Sequence, residues 1–153
     1  CDRNGQPPEG TIVSAGNDVP VIDERLEELT AALVRLTGEA RFDEQVVVES
    51  GGGWALVAWV DEDTFAMDLV PSEPGAFERL DDYQLAVIYG LGFEDEEAED
   101  DSVLFRQEFE YEAGEEWEEQ ALRELALLGL GLLRDVLHCS PERFTVSMEP
   151  VES

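Results

Sequence analysis

Apolar residues recur along this chain at two spacings, and the switches between them lay out the elements. Ile22, Leu26, Leu29, Leu33 and Leu36 recur at steps of four and three, with Glu24, Glu27, Glu28 and Arg35 turned outward. That spacing predicts a helix over 21–37, closed by Gly38. The pattern then changes to strands. Residues 45–50 (QVVVES) are short and β-branched, and 54–60 (WALVAWV) are apolar nearly throughout. Residues 64–70 place Phe65, Met67 and Leu69 on one side. Gly51-Gly52-Gly53 and Asp61-Glu62-Asp63 supply the two turns. The triple glycine lacks the following helix and lysine of a phosphate cradle, so it reads as a hairpin turn.

Residues 80–93 (LDDYQLAVIYGLGF) form a helix with both ends marked. Asp81 is the N-cap, Gln84 completes a capping box, and Asp82 suits the positive end of the helix dipole. Leu85, Ile88 and Leu91 form its apolar stripe, with Val87 beside them. Gly92 then takes a left-handed stop and Phe93 folds back over the last turn. Residues 94–101 (EDEEAEDD) hold seven acids in eight positions and read as a solvated, mobile loop. They lack the alternating donors and central glycine of an EF-hand, which weighs against calcium.

A fourth strand over 102–111 puts Val103, Phe105, Gln107, Phe109 and Tyr111 on one face, with Leu104, Arg106, Glu108 and Glu110 on the other. Gly114 opens the longest helix, 115–137, with a stripe of Trp117, Ala121, Leu125, Leu128 and Leu132, widened by Leu122, Leu133 and Val136. Gly129 and Gly131 within it imply close packing inside the domain or a dimer seam. A last strand, 143–148, alternates Phe144, Val146 and Met148. The sum is an α+β fold in the order α-β-β-β-α-β-α-β. An antiparallel sheet of about five strands carries three helices packed mainly on one face. Residues 1–20 form a flexible N-terminal linker or arm, and 21–150 a single domain.

Charge narrows the partners. The 153 residues carry 38 Asp and Glu against 9 basic residues, all of them Arg, for a formal net charge of −29. Such a surface repels nucleic acid and anionic membrane and attracts cations. A salt-rich cytoplasm with codon bias towards Arg accounts for the same composition. No apolar run approaches a transmembrane span, which points to a soluble, cytoplasmic protein. The first residue, Cys1, followed by a polar, turn-rich stretch, also suits a membrane-anchored lipoprotein.

Chemistry is sparse. Two cysteines, Cys1 and Cys139, make no disulfide framework, and the single histidine, His138, sits next to Cys139 at a spacing unsuited to a shared site. Carboxylates are too abundant for any pair to signal acid–base catalysis. There is no nucleophile elbow, no phosphate loop and no ligand cluster at metal spacing. The expected reading is a non-enzyme with no catalytic, cofactor-binding or metal-binding residues. Its candidate partner-binding residues are the sheet aromatics Trp54, Trp59, Phe65, Phe105, Phe109 and Tyr111. Some of these must face the helices, and any left exposed would mark a binding platform.

From Trp54 to Val136 the chain resembles the type III secretion chaperone-like fold, specifically the YbjN/TY-Chap group of bacterial proteins. The resemblance rests on WALVAWVDED, on LDDYQLAVIYGLGF, and on the acidic loop, aromatic strand and long helix that follow. The chain departs from that pattern in its final strand, which follows the last helix instead of preceding it. The resemblance implies a small, acidic, non-enzymatic protein that binds peptides or unfolded protein segments, often as a homodimer. A second expectation, from charge alone, is an acidic inhibitor of a basic partner: an immunity protein or a nucleic-acid mimic.

Overall fold

The computed structural model describes residues 18–39, 42–97, 103–112 and 117–150. Residues 1–17 of the expected arm, with Cys1, the second half of the acidic run and the Gly114 helix opening lie outside them, whereas Asp18–Pro20, expected in the arm, already belong to the first helix. The elements are α1 (Asp18–Gly38), β1 (Glu44–Glu49), β2 (Trp54–Val60), β3 (Thr64–Pro71), α2 (Asp82–Gly90), β4 (Glu94–Glu97), β5 (Val103–Glu110), α3 (Glu119–Gly131) and β6 (Thr145–Pro150). They build an α+β fold with one six-stranded sheet, in the order β4-β5-β3-β2-β1-β6, and every neighbouring pair is antiparallel. No helix among the described residues is long and apolar enough to cross a membrane.

The sixth strand comes from the acidic run. Glu94–Glu97 pairs with β5 instead of forming a loop, with Glu94 opposite Arg106 and Glu96 opposite Leu104. The backbone ladder outweighs poor strand propensity here, and exposed carboxylates along an edge discourage pairing with a further chain. The last strand lies on the other edge, beside β1.

Helix α2 forms as its residues dictate. The Asp81 carboxylate accepts from the Gln84 backbone N–H at 2.7 Å, and the Gln84 side chain accepts from the Asp81 N–H at 2.9 Å. Gly92 stops the helix at φ 103°, and Phe93 turns into the core. The same Gln84 donates from Nε2 to the Val136 carbonyl at 2.8 Å, tying the start of α2 to the end of α3. Leu91, expected in the buried stripe, is 37% exposed instead. Only Ile88 of α2 is fully buried, because the helix rests on the core by one narrow line of contact.

Helix α3 is rotated from its expected stripe. Leu122, Ala126, Gly129 and Leu130 are its buried residues, whereas Ala121 is exposed and Leu125 and Leu128 are half-buried. With apolar residues nearly all round, the face is chosen by packing: Gly129 lets the helix close on Leu56 and Met67 of the sheet. The helix then widens into a π turn over Leu132–Val136, where the Leu137 N–H donates to the Leu132 carbonyl at 3.0 Å.

All three helices lie on one side of the sheet. Leu29, Leu33 and Leu36 of α1, Ile88, Leu122 and Leu130 of α3, and Leu133 just beyond it share one core with Phe65, Met67 and Leu69 of β3 and Phe105 of β5. Phe65, Phe93, Phe105 and Phe144 are fully buried in it. Each large side chain removed from water in this way stabilises by about 1.5–3 kcal/mol. The hairpin between β1 and β2 turns through Gly51 and Gly53, at φ 72° and 92°. The Gly52 N–H donates to the buried Ser50 hydroxyl at 3.0 Å.

Candidate functional site

Strand alternation divides the six predicted contact aromatics. Trp54 and Trp59 are five residues apart on β2, so they point to opposite sides of the sheet. Trp54, Phe65, Phe105 and Tyr111 are buried on the helix side. There Phe105 stacks with Trp54 and Phe77 at centroid distances of 6.1 and 5.4 Å, and Phe65 meets Trp117 edge to face at 5.2 Å. Register fixes this placement: Phe65 lies opposite Phe109 and Leu69 opposite Phe105, so these residues share one face. Phe109 is half-buried there, against Phe65 and Trp117. The Tyr111 hydroxyl donates to the Thr37 carbonyl at the end of α1. These five are core, because the helices need a large apolar surface to pack upon.

Trp59 alone of the six lies on the other side, which carries no helix among the described residues. It stands within a polar centre. Its Nε1–H donates to Asp68 Oδ2 at 3.0 Å. Arg106 grips the same carboxylate with two bonds, Nε to Oδ1 at 2.8 Å and Nη2 to Oδ2 at 3.0 Å. The guanidinium also lies over the Trp59 ring, 5.1 Å from its centroid. Asp68 is 5% exposed, so its charge depends on these three donors. The hydrogen bonds that Arg106 donates to Asp68 in turn hold its guanidinium above its already high ordinary value.

Around this centre the face is part apolar and part acidic. Val57 and Val70 are half-buried, while Val47, Ala55 and Leu104 are buried among their neighbours. A cavity of about 450 Å³ opens beside Trp59, bordered by Phe42, Gln45, Asp61, Asp68 and Arg106. On the far side of Arg106, Glu94, Glu96 and Glu108 line a second hollow of about 270 Å³. Carboxylates of β4 and β5 thus flank the one guanidinium and leave the rim strongly negative.

Asp68 and Arg106 did not stand out as functional residues in the chain. Their signal is weak: one acid inside an apolar strand, and one Arg on the polar side of another, 38 residues apart. Cys139 and His138 are not brought into a site. The Cys139 thiol is buried beneath the triple-glycine turn, where a Cβ on Gly52 would come within 2.8 Å of its sulfur. Burial pushes that thiol up. Among the described residues no three His, Cys, Asp or Glu side chains are grouped to hold a metal.

This is a sheet with helices on one side and a tryptophan-centred, acid-rimmed surface on the other. No family model matches the chain, and no curated protein or solved structure matches it.

Proposed function

We propose that the domain binds a protein or peptide segment in a chaperone-like manner, without catalysis, through the helix-free face around Trp59. One observation carries this reading. A half-buried Trp, pinned in one orientation by Asp68 and Arg106, stands on a sheet face that no described helix covers. A held aromatic contributes contact area at low entropic cost, and tryptophan is enriched where interfaces concentrate their energy. The acids on β4 and β5 favour a client with basic residues beside its apolar ones.

The order of one helix, three strands, one helix, two strands and one helix supports placing the domain with the YbjN/TY-Chap, type III secretion chaperone-like group. Here β6 is added beside β1.

The test is capture of partners from host lysate by the wild-type protein and by Trp59→Ala, at low and at high salt. Clients that survive high salt with the wild type, and are lost with Trp59→Ala, would support this face as the contact. An unchanged set with Trp59→Ala would remove it. A single basic protein released by salt would favour the acidic inhibitor.

A further inference from the structure

The largest exposed aliphatic side chains of the described residues meet at a different place, away from the sheet face. Leu127 of α3 is 50% exposed, and Leu91, just past the end of α2, is 37% exposed. Between them lies a groove of about 420 Å³ whose floor is Leu128, Gly131, Leu132 and Val136. Gly131 leaves it open: a Cβ built there meets nothing within 4 Å. The π turn forms its end, and the Val136 carbonyl there is held by Gln84 of α2, so both walls are fixed.

Two acids, Glu124 and Asp135, border the groove. Asp135 is already paired, accepting from Arg134 Nε at 2.8 Å and Nη2 at 3.0 Å, which holds its carboxyl below the usual range and offsets its charge, so Glu124 is the border acid without an Arg partner in this pairing. We propose that this groove docks a basic amphipathic segment of another protein, taking its apolar side chains over Gly131 and its cations against Glu124, on a chain of formal net charge −29.

Charge selects this occupant. A second copy would bring another −29 and a second Glu124 to the seam. The chain's own nine Arg are scattered singly, so no segment of its own combines apolar residues with clustered positive charge. A basic amphipathic helix has both, and laying its apolar face in a groove is an established mode of recognition.

The test uses the full chain and a fluorescent leucine–lysine amphipathic helical peptide, read by anisotropy. A serine–lysine peptide of equal charge is the control for attraction to any polycation. The leucine–lysine peptide should bind about tenfold more tightly or better than the control. Gly131→Leu, which fills the groove from an unobstructed position, should weaken it by about tenfold while leaving the melting temperature unchanged or higher. Leu127→Lys, at an exposed site, should weaken it similarly. Trp59→Ala should leave it unchanged, which separates this groove from the sheet face. Equal affinity for the two peptides, or undiminished binding by both groove variants, overturns the proposal. So does a dimer in sedimentation equilibrium that Gly131→Leu dissociates, which would assign the groove to a second copy.

Discussion

The two sides of the sheet are built from the same strands and solve opposite problems. On the helix side, every second residue of β3 (Phe65, Met67 and Leu69) is at most 1% exposed, and large side chains interlock with α1 and α3. On the other side the intervening positions of β3 are Ala66, Asp68 and Val70, and the tightest structure is an ion pair capped by an indole. The first side gains stability from apolar area. The second limits that area and fixes orientation with directional bonds, which contribute more to geometry than to net stability. A sheet without helices on both faces needs this division: a second fully apolar face would expose a patch prone to aggregation.

The sharpest way to break the comparison is to remove a ring from the helix side. Phe105→Ala would empty space between Trp54, Phe77 and Tyr89, whose centroids lie 6.1, 5.4 and 5.8 Å from its own. The expected loss is about 3–5 kcal/mol, measured by urea unfolding. A loss under about 1 kcal/mol would mean that the helix layer relaxes freely and that the two sides do not differ in packing.

Next in size is Asp68→Ala. It leaves Arg106 and the Trp59 N–H without their acceptor, and the expected cost is about 2 kcal/mol. The value falls below that of a fully buried pair because the Arg106 side chain keeps 25% exposure and can rehydrate. A double-mutant cycle with Arg106→Met isolates the coupling. If Asp68→Ala with Arg106→Met is as stable as the wild type, the pair serves orientation and not stability, and the contrast between the faces becomes sharper.

These differences were unevenly legible in the chain. The ends of α2 could be read because a capping box and a glycine stop are local, needing only Asp81, Gln84 and Gly92. Strand β2 was readable at both boundaries from its turns. The opposite facing of Trp54 and Trp59 also follows from alternation alone, yet both were grouped with the other aromatics as contact residues. Three features were not local. Whether Glu94–Glu97 forms a strand depends on β5 as partner, with Arg106 opposite Glu94 to offset like charges. The Asp68–Arg106 pair exists only once β3 and β5 are neighbours. The buried face of α3 is ambiguous in a segment as apolar as ALLGLGLL, since several stripes fit it equally well.

That ambiguity leaves the smallest and most discriminating prediction, on two glycines two residues apart in one helix. A Cβ at Gly129 would lie 2.5 Å from Leu56 Cδ2 and 3.2 Å from Met67 Cε, both side chains being buried on the sheet. At Gly131 the same atom has open space, and the backbone is already helical at φ −64° and ψ −37°. Alanine improves helix propensity by about 1 kcal/mol at either site, but at Gly129 overpacking opposes it by about 1–3 kcal/mol. Gly131→Ala should therefore raise the unfolding midpoint and Gly129→Ala should lower it, each by a few degrees for a domain of this size. Opposite signs would establish that α3 meets the sheet through Gly129 and leaves Gly131 towards the groove. Equal gains would mean that the helix does not close on Leu56, and the expected stripe through Leu125 and Leu128 would become the better description of its buried face.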